Sequence, residues 1–207
     1  MSDTVDPIAP RQRLIDALGD VLADKPLADV TVADIVARAH VSKRTFYEQF
    51  DTKEACALAL CERFSQNLVG QIAASYDHGA DWVEQLARVT HAYLATLQAR
   101  PALLRAFFID LHGLGPEGLK VRRQVQQTFA EFLRLQVDIA RFKEPHKQPL
   151  DAPLAMAVVG GITELILQAL EDGRGHELTT LAPTITGFVQ AVLESLVPLE
   201  HRLNPTP

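Results

Sequence analysis

Two helix-start signals that lie close together constrain this chain more than any other feature. Thr31 is placed to cap a helix with Asp34 answering from the third helical position, and Ser42 repeats the capping signal. The apolar residues before the caps, Val30 and Val41, are placed to pack against the first turn of each helix. Two short helices around the turn "AHV" are therefore predicted, in the length and order of a helix-turn-helix.

The second helix of this pair has one apolar and one basic face. Phe46 and Phe50 are i, i+4 neighbours, so they share the inward face and leave Lys43, Arg44 and Tyr47 outside. An isolated pair of bases is usually only a solvated face. Here the matched caps and the basic face, in a chain of net charge -6, favour a surface that meets phosphates and base edges.

Apolar residues recur at helical spacing along nearly all of the 207 residues, and alternation with period two is never sustained. The fold class is therefore predicted to be all-α. Short helices with exposed bases precede residues 76–80 and long apolar helices follow, which predicts a domain boundary there. Residues 1–7 and 201–207 are expected to be disordered, and 142–153 to form a linker. The predicted helices are 10–24, 32–39, 43–49, 52–75, 81–99, 102–113, 117–143, 152–172 and 180–198.

Composition and motifs exclude several classes of function. Net acidity argues against coating nucleic acid by bulk charge, so DNA binding needs a local basic face. The sequence has no E-x-x-H pair, H-E-x-x-H, P-loop or G-x-S-x-G, so we expect no enzyme, no metal and no cofactor. Cys56 and Cys61 are expected to be buried free thiols, too far apart along a helix to bridge. The polar, acidic start "MSDTVDPIAPRQR" favours a cytoplasmic protein.

The stretch "TVADIVARAHVSKRTFYEQFDTKE", 31–54, resembles the TetR family of one-component transcriptional repressors. The resemblance covers about residues 8–68, with the motif at 31–50. It implies a three-helix DNA-binding domain there and a helical effector-binding and dimerisation domain at 80–200. His40 and Pro26 stand where the family has glycine. Because histidine adopts positive φ at modest cost, the turn is expected to survive.

The resemblance also implies a set of DNA contacts on a palindromic, double-stranded operator bound by a homodimer. Tyr47 and Lys53 are expected on phosphates and Arg44 on a base, most commonly guanine. Asp51 and Glu54 are expected to cap the fourth helix, which places Lys53 in its first turn. The implied DNA-contacting residues are Thr31, Ser42, Lys43, Arg44, Thr45, Tyr47 and Lys53.

The C-terminal half gives weaker signals. The segment "LAMAVVGGITELILQAL", 154–170, is apolar on every face, and such a helix needs a second partner. Helices eight and nine are therefore expected to pair with a second copy, as the family implies, rather than to span a membrane. A monomer core is the alternative.

The family further implies a cavity for a small-molecule effector among helices five to eight. Aromatic residues at helical spacing are more often plain core, and Glu164 is either a polar fixture of the cavity or an exposed residue. The alternatives to a ligand-released repressor are a constitutive repressor and a helical dimer that binds a protein. The candidate lining residues are Trp82, Tyr93, Phe107, Phe108, His112, Phe129, Met156 and Glu164.

Overall fold

The computed structural model describes residues 9–75, 82–141 and 148–196, apart from the side chains of His112 and Ala140. Within these residues the chain forms nine α-helices and no strand, which confirms the all-α prediction. Three 3-10 turns, Leu27–Asp29, Asp110–Leu114 and Gly175–Leu181, interrupt the series. The helices are α1 Pro10–Asp24, α2 Val32–Ala39, α3 Lys43–Gln49, α4 Lys53–Ala74, α5 Trp82–Gln98, α6 Pro101–Phe108, α7 Gly115–Arg141, α8 Ala152–Glu171 and α9 Ala182–Ser195.

The first three helices have the bounds that the sequence predicts, and the later helices differ by one or more residues at an end. The predicted helix 102–113 ends early, because α6 stops at Phe108 and a 3-10 turn follows before Gly115 at φ 63°. The predicted helix 180–198 begins later, at Ala182, without a side-chain cap. The predictions for 1–7, 76–80 and 201–207, and residues 142–147 of the linker 142–153, lie outside the described residues.

The described chain divides into two compact units. The first unit contains the residues up to Ser65 together with Arg100–Val121. Its core is built on α1, which packs against α2, α3 and α6. The fully buried side chains of Leu14 and Leu18 on α1 are joined in this core by Phe46 on α3. Burying an aromatic ring of this size anchors the short helix α3, which is too short to be stable alone.

The second unit contains Gln66–Ala99 and the described residues from Arg122 onward. In this unit α5 packs against α9 and against the 3-10 turn Gly175–Leu181. The amide oxygen of Gln98 accepts from the backbone N–H of Thr179 at 3.1 Å, which fixes that turn to the end of α5. Thr179 therefore contacts α5, and α9 begins at Ala182 without a side-chain cap.

One described helix, α8, is long and apolar enough to cross a membrane by length and composition. Only 22% of its most apolar window is buried within the chain. Its neighbour α9 carries Phe188, a large apolar side chain that is also exposed. Gly161 on α8 lies against this ring, since a Cβ at Gly161 would stand 3.2 Å from a Phe188 carbon. An apolar surface made by two adjacent helices is more typical of an association surface than of a single membrane span.

Candidate DNA-binding interface

The start of α2 is fixed by a complete capping box. The backbone N–H of Asp34 donates to Thr31 Oγ1 at 3.2 Å, and the N–H of Thr31 donates to Asp34 Oδ2 at 2.8 Å. The Thr31 hydroxyl also donates to Asp34 Oδ2, at 2.6 Å. The capping predicted from the sequence is thus confirmed.

The carboxylate of Asp34 also bonds to Lys25, which directly follows α1. The Lys25 ammonium donates to Asp34 Oδ2 at 2.6 Å, with both side chains one third exposed. This bond, followed by those from Thr31, holds the pKa of the Asp34 carboxyl well below its usual range. The ionised carboxylate therefore ties the end of α1 to the start of α2 at neutral pH.

The turn between α2 and α3 contains a left-handed residue that is not glycine. His40 has φ 51° and ψ 48°, which confirms that histidine supports this turn. The N–H of Val41 donates to Val36 O at 3.1 Å, in a Schellman-type ending. Arg13 on α1 donates through one Nη to the carbonyls of Ala39, at 2.5 Å, and His40, at 2.9 Å. Sequence reasoning missed Arg13, because a bond to backbone oxygen leaves no signature in the residue types that it joins.

The helix α3 presents its polar residues outward as predicted. Ser42 caps it, with the N–H of Thr45 donating to Ser42 Oγ at 3.0 Å and the two hydroxyls 2.9 Å apart. Phe46 and Phe50 are buried. Lys43, Arg44 and Tyr47 are exposed, which is the division of faces expected from the i, i+4 spacing.

Two contacts orient the exposed side chains of α3. The Nε of Arg44 donates to Glu48 Oε1 at 3.0 Å, although the Arg44 side chain is 89% exposed. Such a surface pair contributes little stability and exchanges easily for another anion. The Tyr47 ring packs edge-on against Phe46, with centroids 5.4 Å apart, and the residue is 58% exposed. The α3 face, Ser42 to Tyr47, thus combines a capped helix N-terminus with exposed donors.

Lys53, in the first turn of α4, lies in a different setting from the other predicted contacts. Its ammonium donates to the carbonyls of Leu27, Ala28 and Val30 at 3.0, 3.1 and 2.6 Å. The phosphate contact implied by the resemblance requires at least one of these bonds to break.

The cap of α4 also differs from expectation. Thr52 Oγ1 accepts from the N–H of Ala55 at 3.1 Å, so Thr52 caps this helix in place of Asp51.

The candidate effector residues fall into both units. Tyr93 and Phe129 meet in the second unit, with ring centroids 5.8 Å apart, and burial raises the pKa of the Tyr93 hydroxyl above its usual range. Phe107 belongs to the first unit, where it packs against Phe64 at 4.9 Å. Phe108 also belongs to the first unit and is half-buried.

The remaining candidates are placed individually. Trp82 and Met156 are half-buried, on α5 and α8. Glu164 is exposed on α8, which is one of the two placements expected for it. The side chain of His112 lies outside the described part of the structure. An effector cavity lined by these residues remains a prediction.

Among the described residues, no group of His, Cys, Asp and Glu side chains could hold a metal ion. Cys56 and Cys61 are buried free thiols.

A capped helix pair with a left-handed turn and an exposed second helix defines a DNA-binding protein of the helix-turn-helix class. Residues 14–60 match the family described as "Bacterial regulatory proteins, tetR family". The helix-turn-helix region of this chain is therefore similar to the TetR family over residues 14–60, which confirms the resemblance seen in the sequence.

Two proteins with similar sequences are transcriptional regulators. The HTH-type transcriptional regulator AlkX of Mycobacterium tuberculosis is 28% identical over 100 residues, 48% of this chain and 41% of that protein. The HTH-type transcriptional repressor DhaR of a Mycobacterium species is 26% identical over 125 residues, 60% of this chain and 62% of that protein. The matches therefore span about half the length of these relatives, which are transcriptional regulators and not enzymes.

The likeness in fold extends over most of the chain. The transcriptional regulator FadR from Bacillus subtilis, solved in complex with stearoyl-CoA, superposes with a TM-score of 0.70. The match covers 87% of this chain and 96% of that chain at 19% sequence identity. At this identity the comparison shows a shared fold.

Proposed function

We propose that this protein is a sequence-specific transcriptional regulator, a cytoplasmic repressor that binds a palindromic operator as a homodimer and is released by a mostly apolar small molecule. The observation that carries the proposal is the α3 face. It places exposed donors on a helix whose start is capped and whose opposite side is fully buried. Lys43 and Tyr47 are assigned to phosphates and Arg44 to a base, with Thr31, Ser42 and Thr45 at the edge of the contact.

Operator selection tests the DNA-binding part of this proposal. The full chain is incubated with random duplexes, bound DNA is recovered by gel shift, and the selected sites are footprinted. We expect two half-sites related by dyad symmetry, with centres about 34 to 36 Å apart, one helical turn of DNA. Recovery of random sequences only would contradict specific binding and favour a helical module that binds a protein.

The homodimer is proposed to form through α8 and α9. The apolar window of α8, of which only 22% is buried, and the exposed Phe188 support this surface. Sedimentation of a Phe188→Asp variant should show a monomer at micromolar concentration, because a buried unpaired carboxylate strongly destabilises an interface. Leu135→Asp, at an exposed apolar position on α7, is the matched control and should leave the dimer intact. A monomeric wild type would contradict this part of the proposal.

The proposed effector is an apolar molecule, and the acyl-CoA bound by FadR makes long acyl chains the first class to test. A ligand releases DNA only to the extent that it binds the low-affinity state more tightly. Stearoyl-CoA, free stearate and coenzyme A alone are titrated into the complex with the selected operator. Release by the two acyl compounds and not by coenzyme A supports an apolar site. Unchanged operator affinity with all three favours a constitutive repressor.

A further inference from the structure

Two cationic side chains donate hydrogen bonds to backbone carbonyls at either end of α2. Lys53, from the first turn of α4, donates to three carbonyls before the helix. Arg13, from the first turn of α1, donates to two carbonyls at its end. Both contacts join residues that are far apart in the sequence and lie within the first unit. We call these contacts the carbonyl clamps.

The N–H donors of the Lys53 ammonium are all used in its clamp. An ammonium group carries three N–H donors, and three carbonyl oxygens lie within 3.1 Å of Lys53 Nζ. The side chain is only 22% exposed, whereas that of Arg44 on α3 is 89% exposed. Turning the ammonium toward a DNA phosphate would leave Leu27 O with the N–H of Val30 as its partner but would remove the 2.6 Å bond to the part-buried oxygen of Val30, which is unfavourable.

The three carbonyls that Lys53 binds determine where α2 begins. Leu27 and Ala28 belong to the 3-10 turn Leu27–Asp29, in which Leu27 O also accepts from the backbone N–H of Val30 at 3.2 Å. Val30 follows the turn and immediately precedes Thr31, the cap of α2. Gathering these oxygens around one ammonium therefore fixes the entry of α2 relative to the start of α4.

Arg13 has the equivalent role at the other end of α2. Ala39 is the last residue of α2, and His40 is the left-handed residue that turns the chain toward α3. A cation at the C-terminal carbonyls of a helix is favourable because it satisfies them and opposes the helix dipole. The same bonds hold a turn whose left-handed backbone is less favourable for histidine than for glycine.

We propose that Arg13 and Lys53 are positioning residues that orient the α3 face by clamping both ends of α2, and that neither binds DNA phosphate. This inference rests on the proposed function for its DNA-binding consequences. It replaces the phosphate role of Lys53 with a structural one, and it assigns to Arg13 a role that the sequence did not suggest.

The test uses full-length Lys53→Met and Arg13→Met, which keep an unbranched apolar side chain and lose the cation. Lys43→Met removes an exposed lysine of the α3 face and is the matched control. Lys53→Gln, which can still donate two bonds, is the partial rescue. Two measurements are made below the melting temperature of every variant: backbone hydrogen exchange without DNA, and titration of operator and random DNA over a series of salt concentrations.

Hydrogen exchange reports on the clamps alone. In Lys53→Met the amides of Asp29 and Val30 should exchange roughly tenfold faster or more, and in Arg13→Met those of His40 and Val41 should do so. Lys53→Gln should recover part of the protection, and Lys43→Met should match the wild type at these amides. Unchanged exchange in both clamp variants would overturn the proposal, whether or not an operator has been found.

DNA titration distinguishes positioning from phosphate contact. The clamp variants should lose roughly tenfold in operator affinity or more, with the salt slope and the affinity for random DNA close to wild type. Lys43→Met should weaken binding to both DNAs and shallow the log-log salt slope by about 0.9. A slope shallower by about 0.9 and equal losses on both DNAs in Lys53→Met would assign Lys53 to a phosphate and overturn its positioning role. If the wild type selects no operator, the proposed function fails while the exchange result still stands.

Discussion

The two units of this molecule are specified by different kinds of interaction. In the first unit, directional bonds set both ends of α2 and the start of α3: the capping box at Thr31, the cap at Ser42 and the clamps from Arg13 and Lys53. The second unit also has directional bonds, at the Asp151 cap of α8 and between Gln98 and Thr179, but its long helices meet mainly through apolar side chains, and only 22% of the apolar window of α8 is buried. Directional bonds hold the side chains of a polar surface in defined positions. Apolar packing requires that apolar surface is covered, but it tolerates changes in which side chains cover it.

This difference matches what each unit is proposed to do. Reading base edges requires side chains held in one register on DNA, so the α3 face needs a rigid frame. Binding an apolar ligand and a second copy requires surfaces that accept apolar groups, for which packing suffices. The first two predictions below change one unit and use the other as reference, and the three stability predictions run from the largest expected effect to the smallest.

The largest difference should come from removing one phenylalanine in each unit. Phe46→Ala removes a fully buried ring and should lower the free energy of unfolding by about 3 to 5 kcal/mol. Phe188→Ala removes a ring that is 37% exposed in the single chain, so its cost to that chain should be much smaller. Urea unfolding of the two variants, at protein concentrations too low for the dimer to form, measures both losses. Equal losses would contradict the contrast between the anchored α3 and the open surface of α9.

The helix caps should give a smaller effect. Ser42→Ala removes the acceptor for the Thr45 N–H and should destabilise the first unit by about 1 kcal/mol. Thr180→Ala is the reference in the second unit, where the hydroxyl donates to Glu177 O at 2.7 Å and does not cap α9. Its cost should stay within about 0.5 kcal/mol, as for most surface substitutions. Thermal unfolding of the two variants compares them, and a larger loss in Thr180→Ala would refute the assignment of caps.

Much of the first unit was predictable because its signals are local. The bounds of α1, α2 and α3 and the caps at Thr31 and Ser42 follow from residue types within one turn of each helix. The exposed positions of Lys43 and Arg44 follow from helical spacing in the same way. His40 was correctly expected in a left-handed turn, because the motif around it fixes the backbone there.

The carbonyl clamps were not predictable from the sequence. Arg13 and Ala39 are 26 positions apart, and Lys53 and Val30 are 23 apart, and the acceptors are backbone oxygens that every residue possesses. The 3-10 turn Asp110–Leu114 was missed because its apolar spacing continues that of α6. In the second unit, a half-buried aromatic residue such as Phe129 is equally compatible with a solid core and with the wall of a cavity. Residue type alone therefore does not distinguish the two.

The smallest effect concerns pH and the carboxylate of Asp34. Because its pKa is lowered in the folded state, first by Lys25 and then by Thr31, the stability that it contributes is fully present above the ordinary aspartate pKa of about 3.9. That contribution is lost as the pH falls below this value. The melting temperature of Asp34→Asn should therefore lie below wild type at pH 7, and the difference should shrink toward pH 2.

Lys25→Met removes the strongest of these interactions and should reproduce part of the same pH dependence. Both side chains are partly exposed, so salt should weaken the effect. A difference between Asp34→Asn and wild type that is constant from pH 7 to pH 2 would show that the capping geometry, and not the charge, supplies the stability.

The central claim is that the α3 face reads DNA sequence, and the measurement that tests it most directly compares two neighbouring substitutions on that face. Operator and random-DNA affinities are measured for wild type, Arg44→Ala and Lys43→Ala at one salt concentration. Arg44→Ala should cost about 1 to 3 kcal/mol on the operator and little on random DNA, because a bidentate base contact is lost. Lys43→Ala should weaken both to a similar extent, because a phosphate contact carries no sequence information. If Arg44→Ala weakens both DNAs equally, or leaves the operator affinity unchanged, Arg44 does not read a base and the claim fails.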